Sequence, residues 1–151
     1  LLTGLLLGVL NTFVILSAYP HLGYDISFLK TTPHGRLPLL VMVPWLICGI
    51  AFLIELNFRG FLLGRLAALE SELGRSGLAQ QLSPLALIAS ALIFAFDPFM
   101  VNTFQQLHWI ALWDGLIWGA IWLRTKNLYI TIVAHGIEVM TMYSAVRFAL
   151  S

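Results

Sequence analysis

The chain has 151 residues, 60% of them hydrophobic and only 10% charged, with a net charge of +1 and a mean hydropathy of +0.91. An average soluble domain carries roughly 25% Asp, Glu, Lys and Arg, so this composition excludes an ordinary water-soluble enzyme, a disordered chain and a nucleic-acid binder. No charged residue falls in 1–24, 37–54, 76–96 or 98–113, and an uncharged apolar stretch of about 18 residues is a candidate membrane helix. The sequence therefore reads as all-α: a polytopic transmembrane helical bundle, integral and multi-pass, in contact with membrane lipid.

A span needs about 20 residues, which leaves room for about five spans, one interfacial helix and a single transmembrane domain over 1–151. The chain opens Leu1-Leu2-Thr3 without a Met, which reads as a processed or truncated chain. No basic segment precedes residues 1–19 and further spans follow, so these read as a first span rather than a signal-peptide core. The second span is expected at 37–58, with Pro38 in its first turn and a kink at Pro44. The single cysteine, Cys48, allows no internal disulfide and leaves the redox compartment open.

Residues 59–82 set Arg59, Arg65, Glu70, Glu72 and Arg75 among Leu and Ala, the pattern of an amphipathic interfacial helix followed by a loop. A short third span over 84–97 ends at Asp97-Pro98, a helix stop with a tight re-entry. Spans over 105–124 and 128–149, joined by the brief Arg124–Asn127 turn, are expected as antiparallel neighbours. Lys and Arg in the loops favour the side of Arg65, Arg75, Arg124 and Lys126 as cytoplasmic, against Lys30, Arg36 and Arg147 on the other.

Ionisable groups at membrane depth are costly and face the bundle interior. Glu55 and Arg59 stand four apart on one helical face, with the acid on the favoured N-terminal side. That spacing suits a structural ion pair and equally suits a site. Thr131, His135 and Glu138 fall within about one-sixth of a helix circumference at about 100° per residue. They read either as an interhelical hydrogen-bond cluster or as an oxyanion donor or base with an adjacent carboxylate. His108 shares a face with Ala111, Gly115 and Gly119, a small-residue strip that lets helices approach closely, and so is expected to point inward. Asp114 lies about 120° away, with no partner evident from spacing, and the Trp rings at 109, 113, 118 and 122 read as interface anchors and lipid-facing bulk. No H-E-x-x-H, C-x-x-C, G-x-S-x-G or Gly-rich phosphate loop occurs. No cofactor is expected; a zinc ion between separated His108, His135 and a carboxylate, or a tetrapyrrole on His108, are the alternatives.

The run Glu55-Leu56-Asn57-Phe58-Arg59-Gly60-Phe61-Leu62-Leu63 resembles the first motif of the CPBP family, the CAAX proteases and bacteriocin-processing proteins, whose usual form is E-E-x-x-x-R followed by F-R-G-F-L. Asp114 to Leu128, with its Leu123-Arg124-Thr125 turn, and then Ile132-Val133-Ala134-His135-Gly136 resemble the family's penultimate helix and its H-x-x-x-N/D helix. The family-like core covers about 37–140. The resemblance implies an intramembrane helical bundle in which a Glu and an F-x-x-x-H histidine activate water while the last motif supports the oxyanion.

Matched position by position, the first Glu falls on Ile54, leaving Glu55 and Arg59. The F-x-x-x-H histidine falls on Pro98, beside Asp97, although Phe104 to His108 offers a second literal match one helix later. His135 is kept, and the last position is Val139, with Glu138 one residue early. Ile cannot take a proton and Val cannot donate a hydrogen bond. The first expectation is thus a catalytically degenerate member, a non-catalytic subunit or partner of other membrane proteins. The alternatives are an active intramembrane endopeptidase using a rearranged Glu55, Arg59, His108, His135 and Glu138, and a pigment-associated membrane subunit.

Overall fold

The computed structural model describes residues 1–73 and 83–151, so the end of the expected amphipathic element, 74–82, lies outside the described residues. Every described element is helical. α1 is Leu2–His21. A 3-10 turn, Ser27–Thr31, leads into the short α2, Pro33–Arg36. α3 is Leu40–Glu72 and α4 is Pro84–Ala95. α5, Pro98–Phe104, passes through a 3-10 turn, Gln105–Leu107, into α6, His108–Thr125. α7 is Leu128–Leu150. The chain divides into two compact units, Leu1–Phe52 with Ile132–Ser151, and Leu53–Thr131, and α3 and α7 each run from one into the other.

Among the described residues three helices, α1, α3 and α7, are long and apolar enough to cross a membrane, and a fourth crossing results if α4 and the stretch Pro98–Thr125 count as one bent span. Five separate spans were expected. The difference lies in α4, whose 12 residues reach only about 18 Å at 1.5 Å per residue, short of a hydrocarbon core of about 30 Å. The stop at Asp97-Pro98 is where the sequence puts it. The Asp97 Oδ1 accepts the Phe99 N–H at 2.9 Å as an N-cap, Pro98 takes the first helical position, and the axis turns by 49°.

α3 departs further from expectation. A span ending at residue 58 and a separate interfacial helix were anticipated; instead one helix of 33 residues runs through both. Pro44 removes one backbone donor, and the turns that follow, Trp45–Phe52 and again Glu55–Leu63, widen to the π form and carry the helix onward. The helix ends at Glu72, where its acidic last turn also serves α4. Buried Glu70 accepts the N–H groups of Ala86 at 2.8 Å and Leu85 at 3.4 Å, satisfying two of the orphan donors at the start of α4.

Within the first unit, α1 buries Gly4, Leu7, Gly8 and Asn11, a stripe spaced by three and four residues, while Leu2, Leu6 and Phe13 stay exposed. The glycines allow close approach. A Cβ at Gly4 would fall on the Ala134 carbonyl oxygen, and one at Gly8 would lie 2.8 Å from the Thr141 side chain and 2.9 Å from the Glu138 carbonyl oxygen. In the loop beyond α1, Asp25 accepts both the N–H and the O–H of Ser27, at 2.8 and 2.7 Å, which hold its carboxyl below the usual carboxylate range.

In the second unit the small-residue strip of α6 packs as expected: a Cβ at Gly115 would meet Ala91 at 3.0 Å, and Gly119 faces Leu87 and Leu63. Trp118 corrects the lipid-facing expectation. It is completely buried, whereas Trp109 is half exposed. Three residues after Gly115, it lies toward the closely packed side of α6 rather than the lipid side. The short turn between α6 and α7 closes with Lys126 at φ 53 and with Asn127 Oδ1 accepting the Tyr129 N–H at 3.0 Å.

Removing the Glu70 cap with Glu70→Ala is expected to cost about 1 kcal/mol, read as a lower melting midpoint of the detergent-purified protein. Glu70→Gln, which keeps an accepting oxygen, should lose less.

Candidate functional site

The second unit gathers Glu55, Arg59 and Asp114. Glu55 and Arg59 lie in the widened Glu55–Leu63 stretch of α3, and both are fully buried. Arg59 Nε stands 3.5 Å from Glu55 Oε1. Nη2 donates to the backbone carbonyl of Asp114 at 3.4 Å, so the residue for which spacing suggested no partner supplies an acceptor through its main chain. The guanidinium carbon sits 4.7 Å from the centre of the Phe94 ring on α4, a cation–π distance. Nη1 has no hydrogen-bond acceptor among the described residues.

One guanidinium thus joins α3, α4 and α6, and it holds the Glu55 carboxylate. Ser90 on α4 adds a hydrogen bond to the Phe58 carbonyl at 3.2 Å. Ile54, immediately before Glu55, packs with Phe58 against the apolar cluster of Phe94, Ala95 and Ala111.

His108 belongs to the same unit but not to this cluster. Its Nδ1 pairs with the Gln105 carbonyl, held in place by a Gln105 backbone at φ 50. A carbonyl can only accept, so Nδ1 is the donor, and Nε2 has no hydrogen-bond partner among the described residues. The ring packs 5.2 Å from Phe96 and 5.0 Å from Trp109. His108 therefore ties the 3-10 turn to the start of α6 and hydrogen-bonds with neither Glu55 nor Arg59. Phe96 is itself half exposed.

In the first unit, α7 presents buried His135 and Glu138. Asn11 of α1 donates its Nδ2 hydrogen to Glu138 Oε1 at 2.6 Å, and both side chains are shut off from solvent. Asn11 is the residue that reading for ionisable groups passes over. Its signal was present: a carboxamide at mid-span among Leu and Val, three residues after Gly8 and on the same side. Val139, beside Glu138, packs with Met42 and Leu46, and Tyr143 lies against that cluster. Thr131 is buried, its hydroxyl donating to the Leu128 carbonyl at 2.9 Å within its own helix. Among the described residues no three His, Cys, Asp or Glu side chains come together around one metal position.

A family model described as type II CAAX prenyl endopeptidase Rce1-like matches residues 36–140, from the residues before α3 into α7. Neither the curated proteins nor the solved structures include a match to the chain.

Removing one partner of a buried ion pair leaves an uncompensated charge, so Arg59→Met is expected to destabilise the fold by about 3–5 kcal/mol. Pairing it with Glu55→Gln should recover much of that loss. Unfolding of the two single variants and the double variant in detergent measures the coupling, and additive losses would show that the two side chains do not interact.

Proposed function

The chain belongs to the Rce1-like family of type II CAAX prenyl endopeptidases, within the CPBP family, and from that premise we propose that it is a non-catalytic membrane relative, acting as a subunit or partner of other membrane proteins. The observation that carries this reading is the fate of two positions. Where the family motifs place a Glu and an Asn or Asp, Ile54 and Val139 are built into apolar clusters. Hydrolysis of an amide needs a base within reach of a water and donors aimed at the developing oxyanion. Ile54 and Val139 supply neither, and the neighbouring Glu55 is held by Arg59.

A bundle relieved of catalysis keeps its means of association. Leu2, Leu6 and Phe13 along α1, Leu40 and Phe61 on α3, and Tyr129 and Val133 on α7 are exposed, apolar surface suited to lipid tails or to other transmembrane helices. The active-endopeptidase alternative draws on His108, whose Nδ1 is held by the Gln105 carbonyl and whose ring packs on Phe96 and Trp109 rather than beside Glu55.

Purified protein reconstituted in vesicles with a prenylated C-terminal peptide is expected to release no more product than empty vesicles. Untagged membrane proteins are expected to co-purify with it in fixed stoichiometry. Cleavage that disappears in Glu55→Gln or His135→Ala would establish the enzyme instead, and a lone monomer in gentle detergent would remove the subunit role.

A further inference from the structure

α1 precedes the segment that the family model covers, residues 36–140, yet it supplies a ligand to the polar stripe of α7. Gly4, Gly8 and Asn11 fall within about 60° of one another at about 100° per residue. This strip faces Ala134, Glu138 and Thr141, residues three and four apart that form one side of α7. The two glycines remove the side chains that would hold the helices apart. A Cβ at either position would run into main-chain atoms of α7. At the separation this creates, the short Asn11 side chain reaches Glu138 Oε1 at 2.6 Å.

The pattern has a chemical logic. A carboxyl buried at membrane depth requires a donor from the protein itself. A carboxamide provides one without adding a second charge. Leu7 and Ile15 complete the buried side of α1, so the polar contact is sealed by apolar packing on both flanks.

We propose that α1 is a built-in closing helix. It occupies the Glu138 edge of the His135–Glu138 stripe, holds the carboxyl through Asn11, and excludes membrane-borne ligands and reagents from it. Gly4 and Gly8 are what admit α1 to that position, and Asn11 is the positioning residue that fixes it there. This assignment stands whether or not the chain hydrolyses a peptide.

A lipid-soluble carbodiimide, which attacks protonated carboxyls in apolar surroundings, tests it on the full chain in vesicles. Labelling is read by peptide mass spectrometry at Glu138, with Glu55 in the other unit as an internal reference and Glu138→Gln as the blank. Wild-type Glu138 is expected to label slowly. Asn11→Leu, close in size and without a donor, should raise its labelling by about tenfold, the factor given by a shift of about 1.4 kcal/mol in a local opening equilibrium. Gly8→Leu, which wedges α1 outward, should do the same independently, with Glu55 labelling unchanged in both. Equal Glu138 labelling in wild type and both variants would overturn the proposal. So would a matching rise at Glu55, because the variants would then have loosened the whole fold rather than opened one contact. Peptide cleavage, the readout for the proposed function, does not enter either outcome.

Discussion

A guanidinium surrounded by apolar side chains is among the hardest groups to keep in a membrane protein, and Arg59 is kept by drawing on three helices. Glu55 comes from its own helix, the Asp114 carbonyl from α6, and the Phe94 ring from α4. Each partner meets a different part of the planar group: Nε the carboxylate, Nη2 the main chain, the face the ring. Such a contact fixes both distance and rotation, as a bidentate or stacked arginine does and a lysine does not. The second unit is organised around this demand. The small strip of α6 brings the Asp114 carbonyl close, α4 brings Phe94, and Ser90 of α4 bonds the Phe58 carbonyl of α3.

The first unit meets the same requirement with neutral chemistry. Its buried acid, Glu138, accepts a hydrogen bond from the neutral Asn11 carboxamide. The price of a second buried charge is thereby avoided, but the short reach of Asn demands helices in near contact, which the glycines of α1 allow. The two contacts differ in reach. One uses a long cationic side chain across an ordinary gap; the other uses a short neutral side chain across almost none.

How far the sequence reveals this depends on the range of each interaction. The charge-free runs announce a membrane bundle because lipid penalises charge residue by residue. Glu55 with Arg59, Asp97 with Pro98, and the Ala111-Gly115-Gly119 strip are visible because each is local and governed by helical spacing. Asn11 and Glu138 are 127 residues apart, and Glu70 caps a helix start 16 residues on, so neither pairing leaves a periodic trace. The continuity of α3 was hidden for another reason. The charged residues from Arg59 onward read as the start of a separate interfacial element, while the wider turns that carry the helix through have no residue signature. Trp118 was misread because a Trp in a membrane helix usually marks the interface, and only the packing of its neighbours turns it inward.

The length of α3 carries a consequence for where the buried pair sits. At about 1.5 Å per residue, its 33 residues amount to about 50 Å of helix, more than a hydrocarbon core of about 30 Å holds at ordinary tilts of about 20°. Were Leu40 placed at one boundary, Arg59 would lie about 28 Å along, close to the opposite one, and Glu70 and Glu72 would stand clear of it. On that placement the guanidinium would be within a side chain's length of the headgroups, where an arginine ordinarily turns outward to water; its partners here are internal. Membrane thickness becomes a variable that acts on this choice. A thicker bilayer deepens the site and favours the internal partners, while a thinner one brings the water and phosphates of the headgroup layer into competition with Glu55 for the same cation.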